Sequence, residues 1–113
     1  MEDYELDAWL GDTTVTDEQR FALHHAWDLC AARYGEDLDG ERGQAFSAAA
    51  QIILGDDTLE QVSTAYARAR RAERDAMAAL AGAVIAASAT QSEAAIVRAT
   101  GLTRVTVRRM LQK

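Results

Sequence analysis

Ser92-Glu93-Ala94-Ala95-Ile96-Val97-Arg98-Ala99-Thr100-Gly101-Leu102-Thr103-Arg104-Val105-Thr106-Val107-Arg108-Arg109-Met110-Leu111-Gln112-Lys113 is the stretch that decides how this chain is read. It has the pattern of two short helices joined by a tight glycine turn. Ser92 is placed to cap the first helix by accepting from amide groups of its first turn. Thr90 and Glu93 offer an alternative start as a T-x-x-E capping box. Ile96 points inward, with Ala95 or Ala99 small enough to let another helix approach. Gly101 falls where the chain must turn sharply, and glycine tolerates the positive φ of such a turn. Leu102 plugs the corner and Thr103 caps the second helix. Val107, Met110 and Leu111 form its inward stripe at helical spacing. Arg104, Thr106, Arg108 and Arg109 are left to face outward or sideways.

That outer face has the chemistry of a reader of double-stranded DNA. An arginine near the start of a helix in the major groove can fork onto O6 and N7 of guanine. An apolar side chain can meet a thymine methyl group, and hydroxyls and further cations can hold phosphates. The expectation is a recognition helix over residues 103–112, with Arg104, Val105 and Arg108 or Arg109 on base edges. Thr103, Thr106 and Lys113 are assigned to phosphates, and Arg98 on the preceding helix is a lesser phosphate contact. A plainer reading exists, since helix-glycine-helix patterns are common in all-helical proteins and surface arginines are mostly just solvated. The charge distribution weighs against it. Residues 1–60 carry −12, residues 61–91 carry +2 and residues 92–113 carry +4, within a chain of net charge −6. Basic charge gathers on the one DNA-like segment of an acidic protein.

The run Thr100-Gly101-Leu102-Thr103-Arg104-Val105-Thr106-Val107-Arg108-Arg109-Met110-Leu111 resembles the T-G-[VL]-[ST]-R-x-T-V-x-R-x-L pattern of resolvase/invertase-type helix-turn-helix domains and many small bacterial regulators. The resemblance covers about the last fifth of the chain and implies DNA binding. No resolvase catalytic domain fits in what precedes it, so recombination does not carry over. Val97 stands where many helix-turn-helix proteins keep alanine, a departure that Ala95 and Ala99 can accommodate with a different helix crossing.

Composition points to an all-α fold: a helical N-terminal part, then a long helix, then a three-helix helix-turn-helix unit. Alanine is abundant, proline is absent and β-branched residues form no alternating runs. The chain's 113 residues suffice for one domain, or a small core with an appendage. Eleven arginines to one lysine, with the alanine content, suggest a GC-rich bacterial source. One cysteine, Cys30, precludes an internal disulfide. With no signal peptide and no membrane-length apolar run, the expectation is a cytoplasmic protein that does not engage a membrane.

Residues 1–15 are acidic and carry Tyr4, Leu6, Trp9 and Leu10, a mix that suits either a disordered tail or a short helix pinned by its aromatic residues. Thr16 and Gln19 predict a capped helix from Asp17 to about Tyr34, with an inward stripe of Leu23, Ala26, Trp27, Cys30, Ala31 and Tyr34. Gly35 and Glu36-Asp37-Leu38-Asp39-Gly40 read as a loop. A second helix, from about Glu41 to Leu54, buries Phe46, Ala49, Ala50 and Ile53, and Gly55 stops it. Asp57 and Glu60 are expected to cap a third helix reaching the Ala89-Thr90 region, some 30 residues or about 45 Å. Leu59, Val62, Tyr66, Ala69, Glu73, Ala76, Leu80, Ala83 and Ala87 form a heptad seam along it, fit to pack on the chain's own helices or on a second copy. Glu73 weakens that seam. A break near Arg70-Arg71-Ala72-Glu73-Arg74, or a bend at Gly82, is the alternative. Met77, Leu80, Val84 and Ile85 are expected to supply the helix that supports the DNA-reading pair. The chain then divides into an acidic scaffold or dimerisation region, 1–71, and a helix-turn-helix unit, 72–113.

Other chemistry finds little footing. His24 and His25 point about 100° apart on a helix, so only one can join Cys30, which is too few ligands for zinc. The acidic runs at 36–41 and 56–60 lack calcium-loop spacing. No phosphate-binding glycine loop, nucleophile elbow or catalytic Cys/His pair occurs, so no catalytic residue, metal or cofactor is expected. The expected function is a small sequence-specific DNA-binding regulator, bacterial or from a mobile element, acting as a homodimer because one short helix reads too few base pairs. The rival is an interaction module, antitoxin-like or an adaptor, whose acidic half binds a partner protein. For that half a plain scaffold role is favoured over one that restrains the basic motif.

Overall fold

A computed structural model describes residues 1–35 and 40–113, and every regular element among them is helical. Glu36-Asp37-Leu38-Asp39, read above as loop, lie outside the described residues. The helices are α1 (Asp3–Leu10), α2 (Asp17–Tyr34), α3 (Glu41–Ile53), α4 (Leu59–Ala87), α5 (Glu93–Thr100) and α6 (Arg104–Met110). They fall into two compact units, Met1–Ala65 and Tyr66–Lys113, so the division lies within α4, between Ala65 and Tyr66 rather than at residue 72.

The first unit is held by Leu6, Leu10, Leu23, Phe46 and Ala50, with Val15, Ala26, Trp27, Cys30, Ile53 and Leu54 packed round them. Each large apolar side chain of that set contributes about 1.5–3 kcal/mol on burial. The N-terminal segment is the helix α1, and its buried anchors are aliphatic. Leu6 and Leu10, one turn apart, are buried, whereas Tyr4 is 73% and Trp9 47% exposed. Of the aromatic residues expected to pin this segment, Trp9 does so against the Phe46 ring, while Tyr4 does not. Arg20 of α2 clamps α1 through Asp7 at 2.7 Å and Asp3 at 3.6 Å, and His24 meets Asp3 at 2.7 Å. Thr16 and Gln19 form the expected reciprocal cap of α2, at 2.9 and 3.1 Å.

Trp27 stands edge-on to Phe46 with ring centroids 5.0 Å apart, and Trp9 meets the same ring at 5.1 Å. Arg42 is buried, a position its sequence did not suggest, with its guanidinium 4.1 Å from the centre of the Trp27 ring. The aromatic face takes the place of a counter-ion for a cation removed from water.

Gly55, at φ +82°, turns the chain out of α3. The cap of α4 is Thr58 with Gln61, whose side chains exchange hydrogen bonds with each other's amides at 3.1 and 3.2 Å. Asp57 accepts from the Thr58 amide instead of capping the helix, so the box lies one residue later than expected. α4 then runs unbroken for 29 residues, through both the arginine cluster and Gly82. Every residue from 63 to 79 is exposed. Over that span the heptad seam does not pack on the chain's own described helices.

The second unit has a thin core of Val84, Ile96 and Val107, flanked by Leu80, Ala87, Val97, Leu102, Met110 and Leu111. Leu80 and Val84 supply the support expected of α4, but Met77 and Ile85 point to solvent. Among the described residues no helix is long and apolar enough to cross a membrane.

Candidate nucleic-acid interface

The α5–α6 pair is built by side-chain hydroxyls at each chain reversal. Ser92 caps α5 by accepting from the Ala95 amide at 3.2 Å, and the Thr90 alternative is not used. At the far end Thr100 donates its hydroxyl to the Ile96 carbonyl at 2.8 Å and accepts from the Leu102 amide at 3.2 Å. Gly101 adopts the left-handed conformation, φ +72° and ψ 5°, and its amide donates to the Val97 carbonyl. Thr103 then caps α6, accepting from the Thr106 amide at 3.1 Å. The role of Thr100 was not read from the sequence, although a threonine just before a helix-ending glycine is the available signal.

α6 is short, seven residues from Arg104 to Met110, and narrower than the 103–112 expected. After it the chain curls under: Gln112 has φ +60° and the Lys113 amide donates to the Arg108 carbonyl at 2.8 Å. Val107 is fully buried and Met110, one turn along, half-buried. The 3.6-residue period therefore sends two neighbouring rows outward, Arg104 with Arg108 and Val105 with Arg109. All four are exposed, Val105 at 64%. Val105, an exposed β-branched residue beside these arginines, has no packing role in this unit.

Glu93, in the first turn of α5, reaches across to that face. The Arg108 Nε donates to both its carboxylate oxygens, at 3.1 and 3.3 Å, and the Arg104 Nε lies 3.9 Å from one of them. The Glu93 side chain is three-quarters buried, while both arginines keep more than half their surface in water. Two of the proposed base readers are thus drawn together by one acid. Thr103 and Thr106, both assigned to phosphates, hydrogen-bond to each other at 2.9 Å. One hydroxyl hydrogen serves that bond, which leaves the other free to donate outward. Arg98 on α5 and Lys113 at the chain end are exposed.

The His and Cys residues that suggested ligands have structural explanations. His24 is bound to Asp3, and His25 stacks on Phe21 with centroids 6.4 Å apart. Cys30 is half-buried against the core of the first unit. Among the described residues no group of three or more His, Cys, Asp or Glu is gathered to hold a metal ion. No protein-family model, curated protein or solved structure matches the chain.

Proposed function

We propose that this protein is a small sequence-specific DNA-binding regulator, of bacterial or mobile-element type, that holds duplex DNA as a homodimer with α6 in the major groove. The observation that carries the reading is the outward face of α6, where Arg104, Arg108, Val105 and Arg109 stand in two adjacent rows over a buried Val107. A helix so short gains little stability from its own hydrogen bonds, yet it is fixed by a capped, glycine-turned partner helix. Its free face holds the side chains that fork onto guanine and touch thymine. The unit that bears it carries nine basic and three acidic residues, a balance of +6 that favours a polyanion. Arg104 and Val105 read bases with Arg108 or Arg109, and Thr103, Thr106, Arg98 and Lys113 hold phosphates. The proposal assigns no catalytic step and no cofactor.

The test is selection of random duplex DNA by the purified protein at low and near-physiological salt. A palindromic motif that survives the higher salt is the expected result. Arg104→Ala should then cost about 1–3 kcal/mol on the selected site and relax preference at one position. Lys113→Ala should weaken all sequences alike and lower the salt slope by about one. If neither substitution alters a measured preference, or if nothing is enriched, the assignment of α6 fails.

A further inference from the structure

The exposed middle of α4 is the largest feature left unused. Seventeen consecutive helical residues, 63–79, lie in water, and the seam that runs through them includes Tyr66 at 63% exposure, with Leu59 at 69% just before it. We propose that this seam pairs antiparallel with the α4 of a second copy, in the register that sets Glu73 beside the partner's Arg70. The inference deepens the homodimer of the preceding proposal and rests on that part of it, but it needs no DNA.

Size and charge both select this arrangement. Numbered as a heptad, Leu59, Tyr66, Glu73 and Leu80 are a positions, and Val62, Ala69, Ala76 and Ala83 are d positions. In an antiparallel pair an a residue faces a d residue. Leu59 then meets the partner's Ala83, Tyr66 its Ala76, Leu80 its Val62 and Glu73 its Ala69. Nearly every layer sets a large side chain against a small one, the complementarity that close packing rewards. Ala65, Ala72 and Ala79 line one flank of the seam and let the helices approach closely. Beside Ala83 lies an apolar groove of about 150 Å³, lined by Leu80, Val84, Ala87, Ile96 and Ala99 as well, into which the partner's Leu59 fits.

A parallel pair reverses each of these gains. It stacks Tyr66 on Tyr66, leaves thin layers at Ala69, Ala76 and Ala83, and sets Glu73 against Glu73. Like charges in a seam are costly, and a polar a residue is a known means of fixing orientation and register. Among the described residues no ion pair holds Glu73 within its own chain. Arg70, at the flanking e position and lying against the Tyr66 ring at 5.8 Å, is the cation that the antiparallel register brings to the partner's Glu73. Slipping that register by one heptad sets Glu73 beside the partner's Ser63 or Met77 instead, with no cation. The twofold axis falls at Arg71. The two copies of Val84, which anchor the DNA-reading units, then lie about 40 Å apart along the helices. That is close to one turn of B-DNA, about 34 Å, so half-sites about one turn apart follow if the DNA reading also holds.

The experiment uses the full-length protein without DNA. Sedimentation equilibrium should show a concentration-dependent dimer. Glu73→Arg and Arg70→Glu should each weaken it at least ~10-fold, and the double variant should recover it. Circular dichroism confirms that the variants keep their helices. Orientation is read by crosslinking in a Cys30→Ala background. Chains bearing Val62→Cys should crosslink to chains bearing Leu80→Cys, and Val62→Cys should not crosslink to itself. A monomer at all concentrations, self-crosslinking of Val62→Cys, or charge swaps without rescue overturns the proposal. A monomer that still selects a DNA motif would remove the dimer and leave the α6 reading standing.

Discussion

The two units solve the same problem with opposite resources. Met1–Ala65 carries 15 acids and three arginines, a charge of −12, yet among its described residues it buries five apolar side chains, one of them a phenylalanine flanked by two tryptophans. Tyr66–Lys113 is basic and closes on three buried aliphatic residues, Val84, Ile96 and Val107. A rich core tolerates surface charge that repels itself. A thin one depends on the turns and caps that set its helix angles. The difference indicates where each half is vulnerable: the first in its packing, the second in its backbone geometry.

The largest effects should come from the cores and stay within their units. Phe46→Ala removes the ring that Trp9 and Trp27 both touch and should cost the first unit about 3–5 kcal/mol. Both tryptophans belong to that unit, so their fluorescence follows its unfolding alone. Val107→Asp places an unpaired carboxylate in the thin core and should unfold the second unit, erasing the proposed DNA binding while the tryptophan transition holds its place. If Val107→Asp moves that transition as far as Phe46→Ala does, the units are one cooperative structure and the comparison is broken.

Next in size is the turn. Gly101 stands in the left-handed region, where any other residue except asparagine or aspartate is strained. A β-carbon there would meet nothing within 4 Å, so the cost of substitution is conformational and free of clash. Gly101→Ala should therefore destabilise the second unit by about 1–2 kcal/mol, and Gly101→Asn by less. Amide hydrogen exchange across α5 and α6 measures it. Equal losses from alanine and asparagine would mean that the glycine is kept for something other than its φ.

This dependence on local geometry also explains what the sequence made legible. The second unit could be read nearly residue by residue, because Ser92, Gly101 and Thr103 act through neighbours three or four places away, and Ile96 and Val107 follow helical period. Contacts made across the fold were hidden. Nothing local marks Arg42 as buried, since its partner Trp27 lies on another helix. Glu93 and Arg108, fifteen residues apart, meet only once the turn has folded. In α1 the i,i+4 spacing of Leu6 and Leu10 marks the buried face, while the contact of Trp9 with Phe46 crosses to another helix and leaves no local signal. The cap at Thr58 rather than Asp57 shows the ordinary limit of such reading, one residue at a helix end.

A smaller effect should follow from releasing the arginines of α6. Glu93→Gln removes the acid that draws Arg104 and Arg108 together and, by deleting one negative charge, raises the net charge of the face proposed to meet phosphate by one. Affinity for random duplex should rise several-fold and depend more steeply on salt, while the advantage of the selected site narrows. Titration at two salt concentrations separates these. If affinity falls for every sequence, Glu93 is instead a positioning residue that holds Arg108 in its binding pose.

The smallest effect belongs to the acidic unit and is read through pH. The Asp3 carboxyl is held below its ordinary range, first by the hydrogen bond from His24, then by the charges of His24 and Arg20. A carboxylate whose pKa falls on folding stabilises the fold at pH values above its unfolded pKa. That contribution fades as pH drops through the lowered value. The carboxylate accepts from the His24 Nε2–H, so this contribution is lost when Asp3 takes up a proton. The urea midpoint of the tryptophan transition should therefore be lower in Asp3→Asn than in the parent at neutral pH, and the two should converge in strong acid. Asp3 is largely exposed, so the gap should be small beside that of Phe46→Ala. A gap that persists unchanged into strong acid would mean that the side chain acts through something other than its charge.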